Sequence, residues 1–150
     1  MSKGGIENAI LVAAYAHRGQ RDLGGNPYIF HPLRVTEAAR AAGESEAVQI
    51  VCVLHDVVED TKVTALQIAD SFGIDIAAAV VALTHYRGED YLTSYLSRVV
   101  SDPLAHRAKP FDIYDNMPRP PLGDGTDEAR NEKYRKALHI LETSWVWGIR

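Results

Sequence analysis

The segment VLHDVVEDT, residues 53–61, sets His55, Asp56, Glu59 and Asp60 into an otherwise apolar run. On a continuous helix His55 and Glu59 are i,i+4 neighbours, as are Asp56 and Asp60, so three carboxylates crowd one helix end. Like charges at that spacing cost about 0.2–0.5 kcal/mol even in water. Burying them costs far more unless something compensates. A divalent cation is such a compensation, and an imidazole beside a carboxylate is a reasonable pair of ligands. An acidic helix end is also commonly just a solvated face, so the doublet needs partners from elsewhere. His31, in NPYIFHP, stands at the mouth of a helix. Asp112 and Asp115 flank the IY of FDIYDN and face different ways on a helical turn. His31, His55, Asp56 and one of these aspartates would supply two imidazoles and two carboxylates, a set suited to manganese, iron or zinc.

The elements that must position these residues read as helices nearly throughout. Ile6, Ile10, Val12, Ala13 and Ala16 recur at helical spacing. A Gly- and Pro-rich loop, GQRDLGGNPYIFHP, follows. Pro32 then opens a second helix through about Ala42, proline being tolerated in a first turn. Ser45 caps a third, carrying Val48, Ile50, Val51, Leu54 and Val58 and expected to run to about Asp60. Thr64 caps TALQIADSF, with Gly73 as its stop. IDIAAAVVALTHY is helical despite its β-branched residues, and DYLTSYLSRVVSD is amphipathic. In PLAHRAKPFDIYDNM, Pro110 removes a helical donor and predicts a kink or break. RPPLGDGTD is a loop, and EARNEKYRKALHILETSW closes the chain as a helix. No internal repeat, linker or alternating pattern asks for a sheet, and the fold class is all-α.

At 150 residues the chain is expected to form one domain, 1–150, with a real core. The longest apolar run, Ile76 to Leu83, is too short to span a bilayer. The start MSKGGIENAI has no signal-peptide pattern. The single cysteine, Cys52, sits among Val51, Val53 and Leu54 and reads as a core residue, which fits a cytoplasmic setting. A net charge of −4 argues against a nucleic-acid binder, without excluding a small phosphorylated ligand. Trp145 and Trp147 read as packing residues or an apolar patch for self-association. His17, His85, His106 and His139 lack a motif context and read as surface or core histidines. Tyr28 reads as packing the loop.

Taken together, NPYIFHP, LHDVVEDT and KPFDIYDNM resemble the HD-domain phosphohydrolases. They most resemble the hydrolase domain of the Rel/SpoT alarmone enzymes and the small alarmone hydrolases, whose segments read PYIxHP, LHDxVEDT and KLADxxxNM. The resemblance runs from about Ala13 to Met117, and HRGQRDLGGNPYIFHP follows the family loop without a length change. It implies a helical bundle with one divalent metal, usually manganese. His31, His55, Asp56 and Asp112 fall on the metal positions, with Lys109 and Asn116 at the matching lysine and asparagine. Asp115 is thereby the lesser candidate. Glu59 and Asp60 match the acidic pair implied to position and activate water, and Asn116 the position implied to contact the nucleotide sugar. Two departures bear on the substrate base. The family loop carries a basic pair after GQ, where this chain has Arg21, Asp22 and Leu23, and KPFD replaces KLAD.

The implied activity is hydrolysis of a (p)ppGpp-type 3′-pyrophosphate, releasing pyrophosphate. Arg18, Arg21, Lys109 and Arg119 lie close in sequence to the motifs and are the candidate partners of the substrate phosphates. The alternatives are another HD phosphohydrolase, such as a nucleotidase or a (pp)pApp hydrolase, and a non-catalytic nucleotide-binding regulator. An intact Glu59–Asp60 pair speaks against the regulator, since a sensor needs no carboxylate to activate water.

Overall fold

The computed structural model describes residues 3–117 and 127–144. The order is α1 (Ile6–Ala16), α2 (Phe30–Ala41), α3 (Glu46–Leu54), α4 (Val57–Asp60), α5 (Ala65–Phe72), α6 (Ile74–Ala82), a π-helical turn (Tyr91–Tyr95), α7 (Leu96–Val100), α8 (Pro103–Asn116) and α9 (Asp127–Thr143). The fold is all-α. Among the described residues the only β pairing is an isolated bridge between Arg21 and Pro27.

The centre of the bundle is α3. Val48, Ile50, Val51, Cys52, Val53 and Leu54 are all buried, and the helix packs against α1, α2 and α8. A helix apolar on every side belongs inside a core. Its start is set by Ser45, whose Oγ accepts from the Val48 amide at 3.3 Å. The cap of α5 is a reciprocal box. Thr64 Oγ1 accepts from the Gln67 amide, and Gln67 Oε1 accepts from the Thr64 amide. Gly73, at φ +99°, then turns the chain from α5 into α6, a conformation that a side chain would strain.

Three departures from the sequence reading bear on the site. The second helix begins at Phe30, two residues before Pro32, so His31 lies inside its first turn. Pro32 still costs nothing there, because first-turn amides have no intrahelical partner. The third helix stops at Leu54, not near Asp60. His55 follows at φ −59°, ψ −28°, then Asp56 at φ −103°, ψ −2°, and the single turn α4 follows them. Consecutive side chains on a regular helix diverge by about 100°, so an unbroken helix would send His55 and Asp56 in different directions. The break lets both reach one cleft. Finally, α8 runs unbroken through Pro110. The lost donor is one bond in a helix of 14 residues, capped by Asp102 on the Ala105 amide and packed against α2, α3, α6, α7 and α9.

A candidate metal centre and its surrounding carboxylates

His31 comes from the first turn of α2, His55 and Asp56 from the break after α3, and Asp112 from the last turns of α8. The structure brings all four together. One donor atom each of His31, His55 and Asp112 lies within 4.8 Å of the others. Both imidazoles aim Nε2 at the same oxygen, Asp112 Oδ1, at 2.9 Å from His31 and 3.2 Å from His55. Asp56 Oδ2 stands 3.0 Å from His55 Nε2 and 3.8 Å from His31 Nε2.

The other ring nitrogens fix how these two imidazoles can act. His55 Nδ1 lies 2.6 Å from the Cys52 carbonyl, which can only accept, so Nδ1 carries hydrogen. His31 Nδ1 donates to Asp115 Oδ2 at 2.7 Å, and Arg34 grips Asp115 through Nε at 2.8 Å and Nη2 at 3.1 Å. With Nδ1–H committed in both rings, each Nε2 presents either a second proton or a lone pair to carboxylate oxygens. A lone pair facing a carboxylate is repulsive unless a cation lies between them. Two imidazoles and two carboxylates so arranged are a donor set that fits a divalent cation, and the outward bonds to Cys52 and Asp115 fix the tautomers that binding requires. Asp112 and Asp115 thus serve the same imidazole from opposite sides, Asp112 at Nε2 and Asp115 at Nδ1.

The charges are balanced within the cluster. Burial opposes a charge on His55, but the Asp56 and Asp112 carboxylates outweigh it and raise His55 well above its usual range. Burial likewise opposes ionisation of Asp112, yet the Lys109 ammonium and His55 hold it well below the ordinary carboxylate range. Lys109 itself is buried, with Nζ 2.5 Å from Asp112 Oδ2 and above the rings of Tyr95 at 5.2 Å and Tyr91 at 5.6 Å. A candidate phosphate partner by sequence, it is spent on orienting Asp112. Removing one member of a buried pair costs about 3–5 kcal/mol. Lys109→Met is therefore expected to lower the stability of chelator-treated protein by about 3 kcal/mol in urea denaturation.

Tyr28, expected only to pack the loop, donates its hydroxyl to Asp56 Oδ2. Burial, then the Asp56 charge, raises the phenol and keeps it a donor. Nothing in the sequence announces this bond, which spans 28 positions. Outer-shell partners of metal ligands are worth about 10–100-fold in metal affinity. Tyr28→Phe should therefore weaken Mn²⁺ binding by about tenfold or more in isothermal titration calorimetry. Unchanged affinity would show that Asp56 needs no such hold.

Glu59 and Asp60 lie on α4 beside the cluster, each tied by one oxygen. Glu59 Oε1 accepts from the His85 amide at 2.6 Å, and Asp60 Oδ2 from Gln20 Nε2 at 3.3 Å. Burial raises both carboxyls, with Asp56 adding to the shift in each. A carboxylate raised in this way is a better proton acceptor than a free one.

Asn116 Nδ2 donates to Asp112 Oδ1 at 3.2 Å, while its Oδ1 is buried with no hydrogen-bond partner among the described residues. Arg18 is exposed, its guanidinium 4.2 Å above the Tyr15 ring. Arg21 is exposed at the isolated bridge. Arg119, Trp145 and Trp147 lie outside the described residues. Asp22 turns inward on its own loop, Oδ1 accepting from the Gly24 and Asn26 amides at 2.9 Å each, while Leu23 is 79% exposed. Burial pushes the Cys52 thiol up to about 12, which leaves it inert at neutral pH. His106 is a core residue, its Nε2 2.7 Å from the Leu141 carbonyl. No described helix is long and apolar enough to cross a membrane.

Comparison with known proteins bears on the same residues. The family described as HD domain matches residues 9–107, a span holding His31, His55, Asp56, Glu59 and Asp60 but ending before Asp112. A probable guanosine-3′,5′-bis(diphosphate) 3′-pyrophosphohydrolase of Synechocystis sp. is 43% identical over 79 residues, 53% of this chain and 10% of that protein. A GTP pyrophosphokinase of Streptomyces coelicolor is 39% identical over 79 residues, 53% of this chain and 9% of that one. The rsh GTP pyrophosphokinase of Brucella melitensis is 33% identical over 88 residues, 59% of this chain and 12% of that one. The chain thus spans about a tenth of the length of these curated relatives. A solved structure of a metazoan ortholog of SpoT, described as hydrolyzing ppGpp and acting in starvation responses, superposes with a TM-score of 0.78. It is 24% identical, with 96% of this chain and 89% of that chain covered, and shows the same fold.

Proposed function

We propose, from the premise that the chain belongs to the HD-domain family, that it is a metal-dependent phosphohydrolase that removes the 3′-pyrophosphate of a (p)ppGpp-type nucleotide. The single observation that carries this reading is the convergence of His31, His55 and Asp112, one donor atom of each lying within 4.8 Å of the others, with Asp56 Oδ2 3.0 Å from His55 Nε2 and a second carboxylate pair alongside. The relatives named for ppGpp hydrolysis supply the substrate class. Manganese is the expected ion, held by His31, His55, Asp56 and Asp112.

A divalent ion in that set supplies a water of lowered pKa and a Lewis acid for a phosphoryl oxygen. Glu59 accepts the proton of the attacking water, and Asp60 orients that water from the neighbouring position. The attack forms a bond from water oxygen to the phosphorus carried on the 3′ oxygen. The bond between that phosphorus and the 3′ oxygen breaks, the 3′ oxygen regains a proton, and pyrophosphate leaves. Asn116 offers its Oδ1, without a hydrogen-bond partner among the described residues, to a ribose hydroxyl. Of the candidate cations for the substrate phosphates Arg18, Arg21 and Arg119 remain, Lys109 being committed to Asp112.

One observation favours keeping a second reading. Asp22 is consumed by its own loop and Leu23 is apolar, so the loop presents Arg21 alone where the family has a basic pair. That loop is compatible with a base other than guanine. Purified protein with Mn²⁺ should release pyrophosphate from ppGpp and lose that activity on chelation. Release from pppApp alone would move the assignment to an adenine alarmone. Orthophosphate from nucleoside monophosphates would make the protein a nucleotidase, and binding without turnover would make it a regulator.

A further inference from the structure

We infer that His17 and Gln20 form a positioning relay that orients Asp60 for the hydrolytic step, a role that rests on the function proposed above. His17 closes α1 and is 1% exposed. Its Nδ1 lies 2.8 Å from Gln20 Oε1, an oxygen that only accepts, so the ring donates. The amide of Gln20 has one accepting end and one donating end. With Oε1 filled by His17, Nε2 is the end turned to Asp60 Oδ2, at 3.3 Å. Without the imidazole N–H, Gln20 is free to flip and set its own carbonyl against the Asp60 carboxylate. The backbone holds the relay in place. The Gln20 amide donates to the His17 carbonyl, and the Tyr28 amide donates to the Gln20 carbonyl, both at 2.9 Å.

Four further observations point the same way. His17 Nε2 is buried with no hydrogen-bond partner among the described residues. A buried polar atom left unsatisfied is a cost that a phenylalanine would not carry, and the cost is explained if the ring is there for its Nδ1–H. Burial and Asp56 raise Asp60, whereas the Gln20 bond and the nearby His17 act to lower it. Glu59 takes its hydrogen bond from a backbone amide instead, so the two adjacent carboxylates are oriented by independent donors. His17 and Gln20 also lie on the loop whose Tyr28 holds Asp56. A single loop thus serves both a metal ligand and a water-orienting carboxylate.

The test compares Gln20→Ala, His17→Phe and His17→Asn in the 150-residue chain loaded with Mn²⁺. Single-turnover hydrolysis of ppGpp and calorimetric Mn²⁺ affinity are both read. Gln20→Ala and His17→Phe should lose roughly ten- to hundredfold in rate through misplacement of Asp60. KM and Mn²⁺ affinity should stay within about threefold of wild type. His17→Asn restores an N–H near the position of Nδ1 and should recover most of the rate, although phenylalanine fills the site better. In an Asp60→Ala background Gln20→Ala should cause no further loss. The relay is overturned if His17→Phe outperforms His17→Asn, or if Gln20→Ala lowers the rate of Asp60→Ala by the same factor as wild type. Wild-type protein that hydrolyses a different nucleotide overturns only the alarmone reading, and the variants are then read on that nucleotide. Wild-type protein that binds Mn²⁺ but turns over no nucleotide overturns the relay as well.

Discussion

Asp56→Ala is expected to abolish metal binding and hydrolysis together. Asp56 Oδ2 lies 3.0 Å from His55 Nε2 and receives the Tyr28 hydroxyl, so its removal takes away a proposed ligand and strands a half-buried donor. The loss in Mn²⁺ affinity should exceed the roughly 10–100-fold that an outer-shell partner is worth. The rate should fall by about 10³-fold or more, about 4 kcal/mol of transition-state stabilisation. Calorimetry and elemental analysis read the first effect and pyrophosphate release the second. A variant that keeps its metal while losing turnover would move Asp56 out of the ligand set and into the water-activating group.

Glu59→Gln separates the two roles from the other side. Glutamine retains an oxygen to accept from the His85 amide, which holds Glu59 Oε1 at 2.6 Å, so the local geometry is preserved while the proton-accepting charge is lost. Turnover is expected to fall by about 10²–10⁴-fold, the usual contribution of a general base, with metal affinity within about threefold of wild type. A rate close to wild type would transfer the proton-accepting role to Asp60. Burial and Asp56 raise Asp60 as they raise Glu59, opposed by the Gln20 side-chain amide and the nearby His17 and His55.

Much of the fold was legible because it is written in local chemistry. Ser45, Thr64 and Gly73 act at the helix ends where their side chains or flexible backbone are needed. The break after Leu54 was not legible, because VCVLHDVVED has helical periodicity throughout. Where the helix ends, two adjacent side chains reach partners more than 20 positions away. Pro110 misleads in the opposite sense, since its local effect is overruled by the packing of α8 on its neighbours. In the site, His31, His55, Asp56 and a choice between Asp112 and Asp115 could be read from the residues, and the family resemblance pointed to Asp112. Their supports could not. Tyr28 on Asp56, Lys109 on Asp112 and the His85 amide on Glu59 are contacts made only when helices assemble. Even Lys109, singled out by its motif position, takes a role set by its burial.

The burial of α3 has a thermodynamic consequence. His55 and Asp56 hang from the end of the helix most enclosed by its neighbours, and Asp112 comes from α8, which packs against it. Amide hydrogen exchange in these two helices should follow global opening rather than local fraying. An ion gripped by both binds only the folded chain, so its binding free energy adds directly to folding stability, by RT ln(1 + [M]/Kd). With a divalent ion held there, the melting temperature is expected to gauge occupancy, rising with free ion by an amount that reports the affinity itself.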